Sequence, residues 1–89
     1  MPMLGEMNMD KLNNARVESA VTKMVDAMMS TPGITIPEMV TAALRLAGGT
    51  CRQALQQSSQ GALLRNQELL RNALHGVLFE AVSDRSTVQ

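Results

Sequence analysis

Residues 34 to 49 read ITIPEMVTAALRLAGG. This stretch decides the fold, because it carries the chemistry of both helix ends and almost no polar face between them. Thr35 and Glu38 have the spacing of a capping box, in which the Thr hydroxyl accepts from the Glu38 backbone N–H and the carboxylate reaches back. Ile34 and Met39 flank the cap at the positions of a hydrophobic staple. Pro37 falls in the first turn, where its missing N–H costs no hydrogen bond. Gly48 and Gly49 are residues able to close a helix in the left-handed conformation. Between these signals Glu38, Thr41 and Arg45 form one narrow polar strip, and Ile36, Met39, Val40, Ala43, Leu44, Leu46 and Ala47 cover the remainder. A helix apolar nearly all round needs cover on several sides.

On the N-terminal side, residues 10 to 30 have helical periodicity. Val17, Ala20, Val21, Met24, Val25 and Met28 share one side of the wheel, and Arg16, Glu18, Ser19, Lys23 and Asp26 share the other. Asn8 or Asp10 is placed to cap this helix. The run Ser30-Thr31-Pro32-Gly33 ends it, since Pro disfavours helix in the residue before it. Residues 1 to 9 carry Pro2, Gly5 and Asn8 among Met residues without helical period, which predicts a flexible lead-in.

On the C-terminal side, Thr50 and Gln53 repeat the capping-box spacing immediately after the glycine pair. A break at Gly48-Gly49 and a short helix from Cys51 to about Gln57 are therefore expected. The alternative is one helix from 36 to 58, with each Gly costing roughly 1 kcal/mol relative to Ala. The polar run QQSSQG at 56 to 61 reads as a connection. Residues 62 to 82 form the last helix, whose apolar arc, from Leu63, Leu64, Leu69 and Leu70 to Leu74, Val77, Leu78 and Val82, exceeds half the circumference. Asn66 and Gln67 lie inside that arc, where polar groups fix register at some cost in stability. Residues 83 to 89 hold nothing that packs and are expected to fray.

These elements predict an all-α fold: a small bundle of three to four helices, one domain over 10 to 82, completed by homodimerisation. Eighty-nine residues, with one Phe and no Trp or Tyr, leave an aliphatic core near the size at which self-association supplies missing burial. Eight basic and eight acidic residues balance, so no global field draws the chain to nucleic acid or anionic lipid. A single Cys excludes an internal disulfide. With no basic leader and no apolar run approaching a membrane span of about 20 residues, a cytoplasmic location without membrane contact is expected.

Catalytic signals are sparse. One Cys and one His do not make a zinc site within a chain. Cys51, in the first turn after an expected cap and next to Arg52, has the setting of a reactive thiol, but free Cys is commonly a small packed residue and is read here as one. His75 reads as a solvated surface residue. Gly48-Gly49 follows a helix rather than a strand and lacks a following Lys-Ser or Lys-Thr, so it does not cradle phosphate. No enzyme activity, metal or cofactor is expected.

Two functional readings remain. All eight Met residues lie within the first 39 positions, and clustered Met gives an adaptable apolar surface. Met24 and Met28 match the core stripe, whereas Met29 points toward the polar flank. With Met39, Leu64 and Leu69, these residues predict a partner-binding surface. The expected function is a non-catalytic protein–protein interaction module, an adaptor, regulator or inhibitor. The second reading is a helix-turn-helix-like DNA-binding dimer over 36 to 58, with Arg45, Arg52, Gln53 and Gln56 as contacts. Zero net charge and the absence of a basic cluster weigh against it.

Overall fold

The computed structural model describes residues 3–87, with side chains as far as Ser83. It is all-α: α1 is Asn14–Met29, α2 is Ile36–Gln57 and α3 is Leu63–Thr87. The one β feature among the described residues is an isolated parallel bridge between Leu4 and Ser58. The chain divides into two compact units, residues 8–52 and residues 1–7 with 53–89.

In the first unit, α1 begins at Asn14 rather than near Asp10. The reason lies in how two asparagines use their side chains. Asn8 accepts from the Asp10 N–H at 2.9 Å, forming a local Asx turn. Asn13, at φ −83° and ψ 99°, accepts from the Arg16 N–H at 3.1 Å and is the actual cap. At the other end, the Ser30 and Thr31 hydroxyls donate to the Asp26 and Ala27 carbonyls at 2.7 and 3.0 Å. The chain then reverses through Thr31-Pro32-Gly33-Ile34. The Ile34 N–H donates to the Thr31 carbonyl at 3.3 Å, and Gly33 has φ +72°. Pro at the second position and a positive-φ Gly at the third make this a type II turn.

The turn delivers the chain to the capping box. The Thr35 N–H donates to the Glu38 carboxylate at 2.9 Å, the Thr35 hydroxyl donates to the same oxygen at 3.0 Å, and the Glu38 N–H donates to the Thr35 hydroxyl at 3.3 Å. Ile34 and Met39 are both half-buried, as a hydrophobic staple requires.

The break expected at Gly48-Gly49 is absent. α2 passes through the pair without interruption, so there is no separate helix from Cys51, and the described residues form three helices, the lower number of the three to four expected. Glycine permits the left-handed conformation that ends a helix but does not impose it, and neither residue has a positive φ. Thr50 caps nothing; its hydroxyl donates back to the Leu46 carbonyl at 2.8 Å, a mid-helix habit. The apolar spacing carries across the pair, since Ala47, Cys51, Ala54 and Leu55 follow a helical period and all are half-buried.

In the second unit, α2 ends where the Ser58 N–H donates to the Leu55 carbonyl at 3.2 Å and its hydroxyl to the Ala54 carbonyl at 2.8 Å. The Ala62 N–H donates to the Ser59 carbonyl at 3.0 Å at the approach to α3. Leu69, Leu70, Ala73 and Leu74 are half-buried along α3, while Ala62 and Asn66 are buried. α3 continues beyond the expected end at Val82 as far as Thr87, because Ser83 to Ser86 contain neither Pro nor Gly to stop it. The last two residues of the expected tail, and Met1 and Pro2 of the expected lead-in, lie outside the described residues. The lead-in is attached: the Leu4 N–H donates to the Gln57 carbonyl at 2.6 Å and the Ser59 N–H to the Leu4 carbonyl at 2.7 Å.

The glycines give a test with opposite signs. A Cβ at Gly48 or Gly49 meets nothing within 4 Å, so Gly48→Ala and Gly49→Ala are each expected to stabilise the chain by about 0.5–1 kcal/mol in urea unfolding. Gly33→Ala has equal space but a positive φ, and is expected to destabilise by about 1 kcal/mol. Destabilisation by both helix substitutions would refute the continuous α2.

Candidate functional site

The first unit holds an apolar groove between the C-terminal half of α1 and the middle of α2. Met24, Ala27 and Met28 line it from α1; Ala42, Ala43, Leu46, Ala47, Thr50 and Cys51 line it from α2, around a volume of about 490 Å³. The helical periods of the two elements place these residues. Met24, Ala27 and Met28 fall at i, i+3, i+4, and Ala43, Ala47 and Thr50 at i, i+4, i+7. Alanine at four of the nine positions keeps the walls low, which suits close approach of another helix. Thr50 is the sole polar side chain of the lining, and its hydroxyl is engaged with the Leu46 carbonyl.

No residue of α1 or α2 is buried. Val17, Val21, Met24 and Val25 on α1 are 42–45% exposed, and Ile36, Val40, Leu44 and Leu46 on α2 are 49–68% exposed. Two helices cannot cover an element that is apolar on nearly every side. On α3, Leu64, Val77, Phe79 and Val82 are all more than 60% exposed. Among the described residues Ala62 is the only buried apolar side chain.

The residues singled out from the sequence divide between these surfaces. Met24 and Met28 line the groove. Met29 does not; it is 69% exposed at the last position of α1. Met39 is half-buried beneath the capping box. Leu64 and Leu69 belong to the other unit, Leu64 at 78% exposure and Leu69 half-buried. The four α1–α2 methionines are therefore not one patch. The alanines of α2 and Cys51 are groove residues that the sequence did not mark, although Ala43, Ala47 and Cys51 lie on the helical spacing that would have found them.

Arg45 sits with Pro37, Glu38, Thr41 and Ala42 around a second, shallower hollow of about 350 Å³, which is the polar strip of α2. Arg52, Gln53 and Gln56 are exposed on a helix that does not turn. A helix-turn-helix needs a turn between its helices, and residues 36–57 contain none. Cys51 is free and half-buried. His75 stacks on Phe79 one turn on, with ring centroids 5.4 Å apart and planes inclined by 13°. Among the described residues no group of three His, Cys, Asp or Glu is placed to hold a metal ion, and no helix is long and apolar enough to cross a membrane.

The capping box displaces the proton affinity of the Glu38 carboxylate. The Thr35 backbone N–H first, and then its hydroxyl, hold it below the ordinary value of 4.5. Compared with protein families, curated proteins and solved structures, the chain matches none of them.

A carboxyl group with a depressed pKa stabilises the fold above its unfolded value, and the contribution is lost as pH falls through the folded value. The Glu38 share of stability is therefore expected to be complete above about pH 4.5 and to disappear on further acidification. Side-chain carbonyl NMR should place the Glu38 midpoint below 4.5. In Thr35→Ala it should rise only part of the way back, because the backbone donor remains. An undisplaced midpoint in the wild type would show that the box does not form in solution.

Proposed function

We propose that this chain is a non-catalytic helical interaction module, an adaptor, regulator or inhibitor that acts by occupying another macromolecule, and that it does so as a homodimer. One observation carries the reading: the large apolar side chains of all three helices stay substantially in water. Covering a half-exposed Val, Leu, Ile or Met is worth roughly 1 kcal/mol. The nine such residues on α1 and α2 alone, Met29 included, therefore represent a driving force comparable with the whole stability of a small domain. Scattered apolar residues are ordinary on a protein surface, but contiguous stripes along successive helices mark a contact surface.

The α1–α2 hairpin supplies the dimer face in this proposal. Two hairpins from two copies form a four-helix arrangement that encloses α2 on the sides α1 leaves open. The alanine-lined groove admits the close helix approach that such packing needs. The exposed face of α3 around Leu64, Leu78 and Val82, which the helical period places on one side, is then the surface offered to a target. Its aliphatic character fits an amphipathic helix of another protein.

Sedimentation velocity across a dilution series is expected to show a reversible dimer, with Leu46→Glu shifting it to monomer while helical circular dichroism persists. Leu64→Glu should leave the dimer intact. A wild-type chain that stays monomeric at every concentration, or a Leu46→Glu variant that dimerises normally, would rule the hairpin out as the dimer face.

A further inference from the structure

Asn66 has no exposed surface at all, and two of the three hydrogen bonds of its amide go to Gly5 and Met7. Oδ1 accepts from the Met7 N–H at 2.7 Å; Nδ2 donates to the Gly5 carbonyl at 3.0 Å and to the Ser58 hydroxyl at 2.9 Å. The Ser58 hydroxyl, in turn, is oriented by its own bond to the Ala54 carbonyl. On Leu4, the N–H is taken by the Gln57 carbonyl and the C=O by the Ser59 N–H.

Residues 4 to 7 are thus held by four hydrogen bonds, and every one of them goes to main-chain atoms of the segment. None depends on which side chains the segment carries. Specificity is left to burial: Leu4 and Met7 are half-buried, while Gly5 and Glu6 are exposed. Gly5 has no positive φ, and a Cβ there meets nothing within 4 Å, so its position accepts other residues. A carboxamide presenting one acceptor and one donor is matched to a peptide N–H and C=O. Main-chain bonds for affinity, with side-chain contacts at selected positions for choice, is the logic of strand-like peptide capture.

We infer that the corner made by Gln57, Ser58, Ser59 and Asn66 is a binding site for an extended peptide segment with apolar residues at its first and fourth positions. Residues 4 to 7 are its resident occupant, displaced when a partner segment of that pattern binds. The site draws on none of the exposed helix faces, so it stands or falls apart from the dimer reading. Tethering keeps the resident at an effective concentration of the order of millimolar, so a competing segment binds the unaltered chain weakly and binds tightly once the resident is loosened.

The test uses the full chain and a fluorescent, end-blocked peptide of the sequence MLGEMN. Leu4→Pro combined with Met7→Pro removes two donors from the resident segment and leaves the corner untouched. Fluorescence anisotropy is expected to show the peptide binding this variant about tenfold or more tighter than the wild type. Peptides carrying Leu4→Asp or Met7→Asp should lose that binding. Equal affinity for the two proteins, or no binding to the variant, overturns the inference. Loss of helical circular dichroism in the variant does so as well, since the segment is then part of the helical core rather than its occupant.

Discussion

The buried amide of Asn66 is the constraint on which the C-terminal unit depends. It sits where an aliphatic side chain would cost nothing in desolvation, and it is tolerated because its oxygen and nitrogen are both engaged. Burying such a group unpartnered costs of the order of 1–3 kcal/mol. The same bonds close the α2–α3 connection, since Ser58 is fixed between the Asn66 amide and the Ala54 carbonyl. Ala62, one turn earlier on the same face, is likewise buried.

The N-terminal unit is governed differently, by local signals that reinforce one another. The Asn13 cap, the type II turn at Pro32-Gly33 and the Thr35–Glu38 box each fix the direction of the chain within a few residues. Little tertiary burial supports them, since neither α1 nor α2 has a buried residue. Such a hairpin is well specified in direction but poorly covered, which is why its outer faces carry the functional argument.

This contrast explains what could be read from the sequence. The capping box and staple were legible because their partners lie within five residues and the chemistry names them. The α1 cap was misplaced because four Asn and Asp residues, at 8, 10, 13 and 14, compete near one helix start, and only the structure shows Asn8 committed to its own turn. The glycine pair misled for a related reason. Two glycines and a Thr-x-x-Gln spacing make a plausible local break, but the apolar period through Ala47, Cys51 and Ala54 overrides it. Asn66 stood out as a polar residue inside an apolar arc, yet two of its three partners, Gly5 and Met7, are about sixty positions away and leave no local trace. The groove was half legible: Met24 and Met28 came from the α1 stripe, whereas its alanine wall looked like unremarkable helix filler.

The attachment of residues 4 to 7 also imposes an order on assembly. The α1–α2 hairpin is built from contacts close in sequence and is complete once residue 57 has been made. Residues 4 to 7 precede the hairpin but gain their partners after it: Leu4 with Gln57 and Ser59, and Met7 with Asn66, 59 positions further along the chain. Contacts of that separation form late, because loop-closure entropy must be met first. During synthesis residues 4 to 7 therefore stay unattached and open to modifying and proteolytic enzymes while the hairpin that follows them is already folded.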